Sequence, residues 1–247
     1  LRPDCPDGRF LYVCKVNNDK DLLCVFCLGI LFSIHNHMST ASLENTFPIL
    51  APIKPGAQPA VTMAYSADDW HFARQQLEKK GVSDNYIVIQ PTSRWFFKCW
   101  DEDKMAQTIT ALQQDGHTVV LTAGPDKKEM AMIDRILAAS PKTGVVSLAG
   151  QLTLRQLAAL IDHACLFIGV DSVPMHMAAA LQTPCVALFG PSKLTFWSPW
   201  QVNGDVIWAG DFGPLPDPDA IDTNTKERYL DAIPVDAVVS AAKRYLS

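Results

Sequence analysis

The sequence has no apolar run of the roughly 20 residues that a membrane-spanning helix needs. The longest, LLCVFCLGILFSI at 22–34, is apolar for 13 positions. That length suits a core strand or helix, or the core of a signal peptide. Acids mixed with bases ahead of it favour a core element. A basic excess is also missing: 21 Lys and Arg stand against 26 Asp and Glu, a net charge of −5. Neither nucleic acid nor an anionic membrane surface is therefore expected as the main partner. Any phosphate in a ligand has to be met by local groups. The glycine signatures of phosphate binding are absent as well. No G-x-G-x-x-G follows a strand, which argues against an NAD or FAD enzyme, and there is no Walker A sequence.

Paired Cys-x-x-Cys units are lacking too. Of seven cysteines, four crowd the start (Cys5, Cys14, Cys24, Cys27) and form a single CVFC, followed by His35 and His37. A structural zinc site wants two such units or a regular Cys/His spacing. A thioredoxin-like motif belongs at a helix N-terminus after a strand, whereas CVFC lies inside an apolar run. Buried structural thiols are the expectation. Cys99, Cys165 and Cys185 lie in or beside apolar runs, where a thiol acts as a small hydrophobe. That half reads as cytosolic and reduced. The stretch ILAPIKPGAQPA at 49–60 reads as a linker. It divides the chain into an N-terminal segment, 1–58, and a domain over 59–247.

From residue 67 the texture is regular. Helices are expected at 68–80, 101–114, 126–139, 153–163, from near Pro174, and at 234–246, where Pro234 sits in the first turn. Apolar strands are expected at 86–90 (YIVIQ), 118–122 (TVVLT), 145–148, 166–168, 185–189 and 206–209. Strands alternating with helices mean βαβ units: an α/β fold with a Rossmann-like parallel sheet covered on both faces. Such a sheet gathers the loops after its strands at one edge, where anionic ligands bind against helix N-termini.

Those loops hold the candidate residues. PTSRWFFKCW offers Thr92, Ser93, Arg94 and Lys98, hydroxyls and cations that suit a phosphate or pyrophosphate just before a helix. Its aromatic residues exclude water and strengthen charge interactions beside them. Gly124, Pro125 and Asp126 make an ordinary helix start, with Glu129 open to a ribose hydroxyl. Gln151 and Leu152 are either a base contact or plain loop and core. Asp171 is either a structural cap or an acceptor of sugar hydroxyls, since a carboxylate repels a diphosphate. His176 is either a phosphate donor or a half-buried helix residue. Asp101-Glu102-Asp103 has the D-x-D spacing of metal-dependent transferases, yet acids at a helix start serve as caps. No metal site and no cofactor are expected.

These loops, in this order, resemble the ADP-heptose:lipopolysaccharide heptosyltransferases. VIQPTSRWFFKCW, VVLTAGPDKKE, LIDHACLFIGVDSVPMHMAAA and FWSPW…WAGD look most like the heptosyltransferase III branch. The resemblance runs from about Pro59 to Ser247. It implies the C-terminal, donor-binding half of a GT-B glycosyltransferase that is inverting and metal-independent. Carried over by position, it implies that Thr92, Ser93 and Lys98 hold the donor diphosphate, with Lys98 steadying the leaving group. Glu129 would lie near the ribose and Leu152 against the adenine. Asp171 would hold heptose hydroxyls, and Ser172, Val173 and His176 would line the phosphate end. Val173 stands where many relatives have glycine or alanine.

The partners implied are ADP-heptose and the heptose II of the lipopolysaccharide inner core, at the cytoplasmic face of the inner membrane, with no nucleic acid. The family's general base lies in an acceptor-binding N-terminal domain, for which residues 1–58 offer no alignment; Asp21 in KDLL lacks the family's preceding glycine. The expectation is therefore a truncated or disrupted member that binds ADP-heptose and transfers poorly. A non-catalytic nucleotide-sugar-binding module and a GT-B transferase using another nucleotide-sugar are the alternatives.

Overall fold

The computed structural model describes residues 25–27, 30–32 and 63–246, and contacts divide the chain into Leu1–Ala64 and Tyr65–Ser247. In the first unit β1 (Val25–Cys27) pairs antiparallel with β2 (Ile30–Phe32), Val25 facing Phe32 and Cys27 facing Ile30. Where described, the apolar run at 22–34 is therefore strand. Cys5, Cys14, Asp21, Cys24, His35, His37 and the 49–60 linker lie outside the described residues. Among the described residues no helix is long and apolar enough to cross a membrane.

In the second unit side-chain caps set the helix starts. Ser66 opens α1 (Ala67–Lys79) with a capping box, its hydroxyl accepting from the Asp69 N–H while the Asp69 carboxylate accepts from the Ser66 N–H. Asp101 caps α2 (Glu102–Gln114), Asp126 caps α3 (Lys127–Ala139), and Thr153 with Gln156 forms a second capping box on α4 (Leu154–Asp162). Each such cap contributes about 1 kcal/mol. The helix α5 (Val173–Leu181) begins differently: Ser172 stands at its N-cap and its side chain makes no capping bond.

Six strands alternate with these helices: β3 (Tyr86–Gln90), β4 (Thr118–Leu121), β5 (Val145–Ser147), β6 (Leu166–Val170), β7 (Cys185–Phe189) and β8 (Gly204–Trp208). They form one all-parallel sheet in the order β5-β4-β3-β6-β7-β8. Strands β3, β6 and β7 are buried at every position, which accounts for their unbroken apolar sequences. On one face, Met105, Ile109 and Leu112 of α2 pack with Met132, Ile133 and Ile136 of α3 and with Val238, Ala241 and Ala242 of the C-terminal helix (Val235–Leu246). Helices α1, α4 and α5 pack in sequence on the other face.

The order of the strands places the site. The chain enters at the centre with β3, moves outward to β5, then returns to lay β6 beside β3 before running to the other edge. The loop after β3 leads to α2 on one face, and the loop after β6 leads to α5 on the other. A crevice opens between them at the strand C-termini, the topological switch point of a doubly wound sheet.

Two strands are longer than their apolar letters suggest, both because of a glycine. Gly169 extends β6 by pairing opposite Gln90 of β3 and Ala187 of β7. A side chain there would meet the Phe167 ring and the Gln90 carbonyl, 3.2 Å away. Gly204 opens β8 opposite Cys185, whose backbone carbonyl occupies the space a Cβ would take. Replacing Gly204 by alanine should therefore push β8 off β7 and lower stability by about 2 kcal/mol. Gly213→Ala meets only an ordinary contact, the Ala232 methyl at 3.5 Å, and serves as the near-neutral control. Urea midpoints of the two variants compare them directly.

Candidate functional site

Two clusters of polar side chains stand at the switch point, joined through the neighbouring residues Thr92 and Ser93. The first is a hydrogen-bonded chain across the ends of three elements. Thr122 Oγ1, past β4, donates to Gln90 Oε1 at 2.7 Å, and Gln90 Nε2, at the end of β3, donates to Thr92 Oγ1 at 2.9 Å. Thr92 Oγ1 donates onward to Glu129 Oε2 at 2.5 Å, and the same oxygen accepts the Gly124 N–H at 3.1 Å. Glu129, in the first turn of α3, is thus tied to the loops after both β3 and β4. Thr92 is 1 % exposed, and its proton is committed to Glu129. No donor among the described residues reaches the other oxygen, Oε1, of Glu129.

The second cluster is a buried ion pair. Lys98, in a 3-10 turn at Phe96–Lys98, donates from Nζ to Asp171 Oδ2 at 2.6 Å, with both side chains nearly enclosed. Ser192 Oγ, just past β7, donates to the same Oδ2 at 2.5 Å. Ser93 Oγ donates to the Asp171 backbone carbonyl at 3.3 Å. The Lys98 ammonium lies 4.8 Å from the centre of the Trp95 ring and 5.8 Å from that of Trp197. Aromatic faces favour a cation and keep water off it. The Asp171 carboxylate, which alone would repel a diphosphate, is here offset by a cation in contact.

The start of α5 adds a donor without a carboxylate. Ser172 Oγ turns back to donate to the Val170 carbonyl at 3.1 Å, so it caps no N–H of the helix. Pro174 has no N–H, and the Met175 N–H donates to the Ser172 carbonyl at 3.2 Å, which leaves the Val173 N–H uncapped. Uncapped N–H groups at a helix N-terminus favour an anion. The Val173 side chain is 38 % exposed. His176, one turn in, is buried beneath the pair. Burial pulls its imidazole down to about 4; Asp171 opposes that shift and Lys98 adds to it. At neutral pH His176 is therefore an uncharged ring.

Of the residues singled out in the sequence, Lys98, Ser93 and Asp171 meet directly, and Thr92 joins Glu129. Ser172, Val173 and His176 follow Asp171 on α5. Leu152 is half-buried in the loop after β5 and makes no polar contact with either cluster. A groove of about 1100 Å³ touches Thr92, Ser93 and Glu129 but not Lys98, Leu152 or any residue of the 171–176 segment. Within Asp101-Glu102-Asp103, Asp101 accepts the Lys104 N–H at 2.9 Å as a helix cap, and Glu102 pairs with Arg135 and Arg228. The sequence reading left out Ser192, Trp197 and the Gln90–Thr122 link. The signal for Ser192 was its position, directly after the strand that neighbours β6.

Two expected outcomes follow from this geometry. Removing one member of a buried pair strands the other charge, at a cost of about 3–5 kcal/mol. Lys98→Met and Asp171→Asn should each destabilise the fold on that scale, and the double variant by clearly less than their sum. Simple additivity in urea unfolding would show that the groups do not interact. The second concerns pH. His176 binds its proton near 6.5 when unfolded and near 4 when folded. Its contribution to stability is complete above pH 6.5 and is lost as pH falls towards 4, by about 3 kcal/mol in all. His176→Gln should remove that part of the loss between pH 7.5 and 4.5, measured by urea midpoints.

Comparison with known proteins bears on the fold and the family. The chain is 46% identical over 185 residues to the lipopolysaccharide heptosyltransferase 3 of Escherichia coli K12, covering 75% of this chain and 53% of that protein. It is 44% identical over 207 residues to another Escherichia coli lipopolysaccharide heptosyltransferase 3, covering 83% and 60%. The chain thus spans little more than half the length of these relatives. A family 9 glycosyl transferase structure from Veillonella parvula superposes with a TM-score of 0.69 at 22% identity, over 79% of this chain and 56% of that one. The E. coli ADP-heptose lps heptosyltransferase II structure gives 0.62 at 24%, over 77% and 55%. These two share the fold. Residues 26–227 match the model of glycosyltransferase family 9 (heptosyltransferase), starting well ahead of the motifs at Pro59 and beyond, and the chain belongs to that family.

Proposed function

We propose that this chain carries the donor half of a heptosyltransferase, holding ADP-L-glycero-D-manno-heptose for transfer of heptose to the heptose II of the lipopolysaccharide inner core. The observation that carries this reading is the Lys98–Asp171 pair beside the uncapped start of α5. Together they offer a cation and the Val173 backbone N–H to a diphosphate, and a charge-balanced carboxylate to sugar hydroxyls. The similarity to the heptosyltransferase 3 proteins supports the choice of sugar and acceptor. On this reading the work is done at the cytoplasmic face of the inner membrane.

Each residue then has a task. The Val173 N–H, with Ser93, receives the diphosphate. Asp171 accepts a hydroxyl of the heptose. Glu129 turns its free Oε1 to the ribose, with Thr92 and Gly124 holding its other oxygen, and Leu152 lies along the adenine. An acceptor hydroxyl attacks the anomeric carbon, the bond from that carbon to the diphosphate oxygen breaks, and ADP leaves with the electron pair, inverting the centre. Lys98 and the helix start stabilise the charge that grows on the leaving diphosphate. Lys98 has three N–H donors, and Asp171 takes one. The proton of the acceptor hydroxyl passes to a general base other than these residues as the new bond forms.

Calorimetry with ADP, UDP and ADP-heptose tests the reading. Binding of ADP should exceed that of UDP, and Lys98→Ala and Asp171→Ala should each weaken ADP-heptose by about tenfold or more. Equal affinity for ADP and UDP would overturn the heptose assignment.

A further inference from the structure

The structure assigns to Ser192 a role in donor selection: it is a positioning residue that holds Asp171 so that one carboxylate oxygen is kept for the donor sugar. This rests on the donor reading and deepens it. An ionised carboxylate only accepts hydrogen bonds. Both protein donors that reach the Asp171 carboxylate, Lys98 Nζ at 2.6 Å and Ser192 Oγ at 2.5 Å, land on the same oxygen, Oδ2. None among the described residues reaches Oδ1. Two donors arriving on one oxygen from different loops fix the plane of the carboxylate, which a single flexible lysine would leave free to rotate. The remaining oxygen is left without a donor among the described residues, an acceptor suited to a ligand hydroxyl that donates.

The three residues come from three loops at the sheet edge. Lys98 follows β3, Asp171 follows β6 and Ser192 follows β7, so the carboxylate is held from both sides of its own strand. Ser192 belongs to no helix or strand, and it forms part of the wall of a cavity of about 260 Å³. Taking away its hydroxyl therefore leaves the packed core untouched. The proton on Ser192 Oγ goes to Asp171, and the serine makes no other side-chain bond among the described residues. Its hydroxyl serves the carboxylate alone.

The selection Ser192 exerts is between a nucleotide with its sugar and the nucleotide without it. ADP lacks the hydroxyl that Asp171 accepts, so Ser192 should matter for ADP-heptose and hardly at all for ADP. The experiment is calorimetry on the full chain with both ligands, for wild type, Ser192→Ala and Ser192→Thr. Ser192→Ala is expected to weaken ADP-heptose about five- to tenfold while changing ADP less than about twofold. Ser192→Thr, which keeps the oxygen, should restore most of the loss. Parallel loss for both ligands, or unchanged ADP-heptose binding by Ser192→Ala, would overturn the role of Ser192 and leave the donor reading standing. A wild-type chain that binds ADP-heptose no better than ADP would overturn both.

Discussion

The pairing of Lys98 with Asp171 is the interaction on which the rest of the crevice depends. Either charge alone in this enclosed position would cost several kcal/mol. Together they let a carboxylate stand at a helix start where an anionic ligand belongs. The pair also explains the aromatic residues around it: Trp95 and Trp197 flank the ammonium and limit the water that would weaken the contact. His176 stays neutral beneath, so no second cation competes for Asp171. The sheet supplies the precision, because Asp171 follows a strand buried at all five positions and paired on both sides.

The polar chain from Thr122 to Glu129 plays a parallel part on the neighbouring side. It ties the ends of β3 and β4 to the first turn of α3, and it secures one oxygen of Glu129 while leaving the other without a donor among the described residues. Asp171 is held in the same way. Two carboxylates at one sheet edge, each bound on one side only, give the crevice two acceptors for hydroxyl groups. A nucleotide-sugar has hydroxyls on both of its sugars.

Much of this was legible in the sequence. The helix starts expected at 68, 101, 126 and 153 lie within one residue of those found, because the apolar spacing and turn residues that mark them are local. The buried strands YIVIQ and CVALF stood out because parallel strands covered on both faces need apolar residues throughout. The end of β6 and the start of β8 did not, since a glycine carries no apolar signal at 169 or 204 although close backbone approach is what requires it there. The Lys98–Asp171 contact joins residues 73 apart in sequence. Only the strand order makes their loops neighbours, so the sequence offered each a separate ligand and not each other. Ser192 was missed for the same reason.

The uncapped start of α5 links the endurance of the fold to the supply of its ligand. Helices α1 to α4 are each finished by a side chain of their own, whereas Ser172 gives its hydroxyl to the preceding strand. On the proposed reading, the donor diphosphate completes that helix. A ligand at 100 times its dissociation constant stabilises the folded form by about 2.7 kcal/mol. A cell rich in the sugar nucleotide would then hold more of this chain folded, and for longer, than a cell starved of it.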